Sequence, residues 1–195
     1  MSGDNRNRTP TTIPIPKEET AMAHPEVPID VDPNTGIWST DGLPMIYLPR
    51  HFFVNNHLAV EAALGQEAYA RQLYGAGYKS AWDWCEKEST THCITGLDVF
   101  HHYMKRLSQR GWGQFTVLSC DGDTGNCDVR LDHSVFVEES GSEAGRNLCY
   151  MYSGWFAGSL EWVGRAMNRD YALSSHEARC AANGAEHCVF NVRPV

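Results

Sequence analysis

Three cysteines and a glutamate in the last quarter of the chain have the types and spacing to hold a metal ion. Glu177 stands three residues before Cys180, and the seven residues 181–187, ending in Glu186-His187, separate Cys180 from Cys188. Asn183-Gly184 is a turn signal, so the two sulfurs come back to the neck of one hairpin. Cys149 lies upstream in an apolar segment, expected to be a helix packed against that hairpin. Zinc accepts thiolate and carboxylate donors at about 2.0–2.3 Å, and four protein donors close the site, which makes it structural rather than catalytic. The competing reading is that these are ordinary buried thiols, because free cysteine packs as a small hydrophobe. Spacing alone leaves both open. His187 is an alternative to Glu177 as the fourth donor.

The other reactive residues point to less. Seven cysteines (85, 93, 120, 127, 149, 180 and 188) are an odd count, and the Met-Ser-Gly-Asp-Asn-Arg start has no apolar run. That argues against a disulfide framework and for a reducing, cytoplasmic setting. His101 and His102 are adjacent on an expected helix and diverge. His92 and Cys93 form a metal pair with too few further donors in the nearby sequence. Asp121-Gly-Asp-Thr-Gly-Asn has a calcium-loop flavour, but Asp132 stands where an EF-hand needs glutamate. No nucleophile elbow, phosphate loop or dinucleotide fingerprint is present. The chain is therefore not expected to be catalytic alone.

The elements that must position the tetrad follow from periodicity. Six of the nine prolines lie in residues 1–33, which are expected to be an extended arm. Residues 34–195 are expected to form one domain. Ile37-Trp38 and Leu43–Leu48 read as short strands, and Val54–Tyr78 as a helix that continues to residue 88. A further helix is expected over Gly96–Gln109. Gly113–Ser119 and Cys127–Glu138 alternate as a hairpin. An almost wholly apolar helix is expected over Gly145–Met167, with Gly154 and Gly158 admitting another backbone. Tyr171–His176 and Cys188–Val192 complete an antiparallel sheet in an α+β domain. Hydrophobic residues are 42% of the chain, enough for a core, and the net charge is −8, which disfavours nucleic acid and anionic membranes as partners. No apolar run is long enough to span a bilayer.

The pattern Cys149-Tyr-Met-Tyr-Ser-Gly154, Gly158, Glu177-x-x-Cys180, Gly184 and Cys188-x-Phe190-x-Val192 resembles the 4-vinyl reductase domain over about residues 58–195. That family shares its broad fold with vesicle-tethering subunits and supplies the sensory part of phenol- and aromatic-responsive regulators. The resemblance implies that Cys149, Glu177, Cys180 and Cys188 hold one Zn2+, as the equivalent residues do in those sensors. Three thiolates and a carboxylate would leave the site formally at −2, to be offset by backbone N–H groups, with help from Arg179. Trp112, Phe115, Phe136, Tyr152 and Trp155 are candidates to line a ligand cavity between sheet and helices, or else to fill the core.

The front of the domain is narrower in its likeness. Asp32-Pro-x-Thr-Gly-Ile-Trp-x-Thr-Asp-Gly-Leu-Pro-Met, with Pro49-Arg-His-Phe-Phe-Val-Asn-Asn-His57, resembles small proteins of this domain type whose genes accompany flavin-dependent demethylases of dimethylglycine and related methylated amines. This implies a non-catalytic accessory subunit that meets flavoprotein partners through its N-terminal arm, with flavin or folate held on those partners. The alternative is a stand-alone sensor of an aromatic or methylated-amine ligand, a homodimer if free.

Overall fold

The computed structural model of the chain describes residues 27–141 and 144–195. Most of the expected arm, residues 1–26, lies outside the described residues. Three short strands open the fold: β1 (Asp30–Val31), β2 (Trp38–Thr40) and β3 (Leu43–Met45), all antiparallel. The Thr40-Asp41-Gly42 turn joins β2 to β3, as its turn-forming residues predict. Asp41 and Gly42 both sit at left-handed φ there, 53° and 73°.

Helices α1 (Arg50–Leu64), α2 (Gln66–His92) and α3 (Leu97–Gln109) follow. The single helix expected from Val54 is two. Gly65 breaks it at φ 80°, ψ 146°, a conformation that no helical residue adopts. Helix α2 turns Gly77, Ala81, Trp84, Cys85 and Glu88 inward, a stripe at helical spacing. Glu88 extends an otherwise apolar stripe and is fully buried.

The second sheet has the order β4-β5-β7-β6, every pairing antiparallel: β4 (Gln114–Cys120), β5 (Cys127–Asp132), β6 (Leu173–Arg179) and β7 (Cys188–Pro194). The expected extension of β5 to Glu138 does not form. Ser134 caps a short helix α4 (Val135–Ser140) instead, its hydroxyl accepting from the Phe136 N–H. Helix α5 (Ser153–Ala166) is shorter than expected. Residues 145–149 are non-helical, and a single 3-10 turn (Tyr150–Tyr152) leads into it. Cys149 therefore sits ahead of the helix, not on it.

Helix α5 lies between α2 and the sheet. A Cβ on Gly154 would stand 2.1 Å from the Tyr74 carbonyl oxygen, and one on Gly158 would stand 2.3 Å from that of Tyr78. These two glycines let the α2 backbone seat directly on α5. The other face of α5 meets Phe115, Val129, Leu131, Phe190 and Val192, inward side chains of the sheet that share one buried cluster with it. The fold is α+β, an antiparallel sheet packed with helices. Among the described residues no helix is long and apolar enough to cross a membrane.

Candidate metal centre

One ligand atom from each of Cys149, Glu177, Cys180 and Cys188 lies within 4.8 Å of the others. The Cys188 sulfur is 3.6 Å from that of Cys149 and 3.8 Å from that of Cys180. Four sulfurs at about 2.3 Å from a tetrahedral zinc would be about 3.8 Å apart. The spacing is that of co-ligands and is far too long for a disulfide. His187, the alternative fourth donor, is not part of this group.

Local backbone geometry explains why these four meet. In β6 the odd residues Leu173 and Ser175 face inward and are buried, and Glu177 continues that face. A register shift between Glu177 and Arg179 inserts one unpaired residue, Ala178. Such a bulge changes which face the next residues take. Cys180, an even position, thereby returns to the face of Glu177 and is buried. A 3-10 turn (Ala181–Asn183) and Gly184 at φ 84° bring the chain back to Cys188, the first residue of β7.

The loop carrying Cys149 is tied to the same ribbon. Gly145 N–H donates to the Ala182 carbonyl and the Asn147 amide to the Glu177 carbonyl. Leu148 N–H and Ala181 N–H point at the sulfurs of Cys180 and Cys188, at 3.4 and 3.3 Å. Ser134 Oγ lies 3.0 Å from the Cys149 sulfur, and Cys149 N–H donates to Glu177 Oε2. These are the donors that offset negative charge at such a centre. Arg179, expected to help, is solvent-exposed. Ser134 was not legible as a partner, because its stretch reads as strand.

Four buried acids this close cannot all ionise unaided. Burial, with the neighbouring Cys180, pushes the Glu177 carboxyl up to about 9. Hydrogen bonds to the Cys180 and Cys188 sulfurs push the Cys149 thiol well above its ordinary range. Contacts from Cys149 and Cys188 draw the Cys180 thiol down. Glu177 Oε1 is buried and makes no hydrogen bond among the described residues. Donor types, edge lengths and this orphaned oxygen all fit a cation.

The five aromatic candidates also meet. Trp112, Phe115, Phe136 and Trp155 each present an edge to or receive one from Tyr152, with ring centroids 5.1–6.3 Å away. Tyr152 is completely buried and its hydroxyl donates to the Trp112 carbonyl. A cleft of 350 Å³ borders this cluster, lined by Met45–Arg50, Phe53, Trp112 and Val135 among others. A network absent from the sequence reading flanks it. Tyr150 donates to Glu61, Arg146 pairs with Glu61 at 2.6 Å, and the His57 Nε2 lies 3.2 Å from the Tyr150 hydroxyl.

Residues 23–118 match the family described as a domain of unknown function, DUF5943. No curated protein matches the sequence. Solved structures of similar shape include the following three. The phenol-responsive sensory domain of the transcription activator PoxR, solved with phenol, has a TM-score of 0.71 at 16% identity, over 85% of this chain and 84% of that one. A vinyl-4-reductase family protein from Methanocaldococcus jannaschii has 0.50 at 15%, over 77% and 84%. The fold is 4-vinyl reductase-like. Trafficking protein particle complex subunit 3 from Naegleria fowleri, covalently bound to palmitic acid, has 0.55 at 13%, over 75% and 95%. At these identities the likeness concerns the fold alone.

Proposed function

We propose that the chain is a non-catalytic small-molecule-binding module of the sensory type, pinned by one structural Zn2+. Cys149, Glu177, Cys180 and Cys188 would hold the ion. With four protein donors it has no position for an activated water, so it supplies cross-linking rather than chemistry. It ties the 144–149 loop to the β6–β7 ribbon, and thereby fixes the start of α5 and Tyr152 at the centre of the aromatic cluster.

The observation that carries ligand binding is the 350 Å³ cleft backed by Phe53 and Trp112. Its size suits a small organic molecule, and ring edges and faces suit an aromatic or a cationic methylated amine. The similar PoxR domain is phenol-responsive. The test is a thermal-shift titration of the zinc-replete full chain with phenol and with dimethylglycine. A ligand that binds only the folded state raises Tm in a saturable way. A saturable rise with one of them, lost in Trp112→Ala with zinc retained, is expected; no rise with either counts against the reading.

A second reading draws on the exposed apolar residues at the rim of that cleft and beside it. Ile37, Phe52, Ile46 and Tyr47 are exposed around β2, β3 and the start of α1, the last two at 83% and 88%. Apolar side chains grouped this way mark protein contacts. In this reading the chain is an accessory subunit of a flavin-dependent N-demethylase, residues 1–33 dock on the flavoprotein, and the partners hold flavin or folate. Co-expression with candidate flavoprotein subunits tests it: co-elution is expected, and a chain that elutes alone refutes it.

A further inference from the structure

A second group of metal-ligating side chains lies at the other end of the helical layer. Asp41 comes from the β2–β3 turn, Glu88 and His92 from successive turns of α2, and His102 from α3. One donor atom from each lies within 4.8 Å of the rest. His92 Nε2 is 3.3 Å from Asp41 Oδ1 and 3.1 Å from Glu88 Oε2, and His102 Nε2 is 3.0 Å from the same Glu88 oxygen. The two imidazole rings are 4.7 Å apart.

A plain hydrogen-bonded cluster accounts for part of this and leaves a remainder. Glu88 has no exposed side-chain surface, and its Oε1 makes no hydrogen bond among the described residues. His92 Nε2, although close to two carboxylates, makes no aligned hydrogen bond either. A carboxylate at a core position with an unused oxygen is costly unless something positive meets it. Nitrogen and oxygen donors at about 2.0–2.2 Å from a tetrahedral ion stand about 3.3–3.6 Å apart, close to the separations seen.

We propose that Asp41, Glu88, His92 and His102 form a second divalent-cation site, distinct from the cysteine centre, that takes a borderline transition-metal ion such as zinc or cobalt. Two imidazoles select against magnesium and calcium, which prefer all-oxygen shells. His92, 30% exposed, is the most solvent-accessible of the four donors. Two arginines set the strength. Arg106 Nη2 lies 3.0 Å from Asp41 Oδ2, and Arg110 reaches the same carboxylates electrostatically from over the Trp84 ring. Their charges offset part of that of Asp41 and Glu88, although neither donates to Glu88 Oε1, so the ion binds reversibly and more weakly than at the thiolates. When bound, it links the β2–β3 hairpin to α2 and α3.

The test is titration of the zinc-loaded full chain with Co2+, followed by visible absorption and by metal analysis. Weak ligand-field bands without thiolate-to-metal charge transfer, saturating at one Co2+ per chain, are the expected result. His92→Gln, at a partly exposed position that tolerates replacement, lowers the affinity about tenfold or more, since even an outer-shell partner is worth that. Glu88→Gln abolishes binding, and Cys93→Ser leaves it unchanged. No absorption, a spectrum dominated by thiolate charge transfer, or unaltered affinity in His92→Gln overturns the proposal. None of these outcomes bears on the zinc content of the cysteine centre, which metal analysis reads separately.

Discussion

At the scale of single residues, the cysteine centre makes the sharpest prediction. Cys180 accepts an N–H bond from Leu148 and neighbours two other donors. Cys180→Ser should reduce zinc from about one ion per chain to near zero and express poorly, because zinc binding in small metal-folded peptides contributes roughly 10–16 kcal/mol. Metal analysis of purified protein checks it. His57 makes a different one. Burial holds its imidazole below the ordinary 6.5, against the pull of Glu61. The folded state then binds fewer protons than the unfolded state, so stability is full above about pH 6.5 and is lost as pH falls through the folded value. His57→Phe keeps a ring among Phe53, Phe136 and Tyr69 and removes the titration. Urea midpoints between about pH 7.5 and pH 5.5 should fall less in the variant than in the wild type. Residue types near the C-terminus announced the tetrad, since Glu177, Cys180 and Cys188 sit within one hairpin's length. The Glu61–Tyr150–Arg146 network and the Asp41–Glu88–His102 grouping were not legible, because each joins segments far apart in sequence. Only the four-residue spacing of Glu88 and His92, one helical turn, was available as a local hint.

At the scale of elements, the seating of α2 on α5 is the feature to perturb. A methyl on Gly158 meets the Tyr78 backbone, which cannot swing aside as a side chain can. Gly158→Ala should cost about 1–3 kcal/mol or more, an overpacking penalty. Gly75, also in α2, has nothing within 4 Å of the added carbon. Gly75→Ala should stabilise by about 0.5–1 kcal/mol through helix propensity. Thermal unfolding of the two variants should move in opposite directions. The glycine pair in α5 was readable because a four-residue spacing of small residues has one geometric meaning on a helix. The break at Gly65 was not, since the apolar period runs on across it and only the backbone angle interrupts it. Residues 133–140 misled for a related reason. Val135-Phe136-Val137 has strand composition, and the Ser134 cap overrides it.

At the scale of the molecule, the cysteine cluster and the aromatic cluster are joined through residues 149–153. If the proposed zinc is held there, removing it by chelation should loosen more than the ribbon. Hydrogen exchange should quicken in β6, β7 and the 144–152 segment, while α2 and α3, built on their own buried stripes, keep their protection. Uniform loss of protection across all helices would mean that the ion supports the whole core. The α+β class and the β4–β5 hairpin were legible from periodicity and the turn residues between the strands, most clearly in β5, whose burial alternates at every residue. The front sheet was only partly so: β1 has two residues and no alternation to detect.

The single unpaired residue Ala178 has a consequence for how such a chain can vary. It is the one extra residue that the pairing absorbs, and a second one inserted beside it would reverse the alternation again, swing Cys180 out to solvent and leave Glu177 facing only two thiols. The interval from Glu177 to Cys180 is thus closed to single insertions, while its middle residues, both exposed, are free in identity. The Asp121–Asn126 turn at the end of the β4–β5 hairpin carries no such arithmetic. Insertions there should leave the zinc content untouched, so drift in chain length is expected to collect at that end of the sheet and to spare the other.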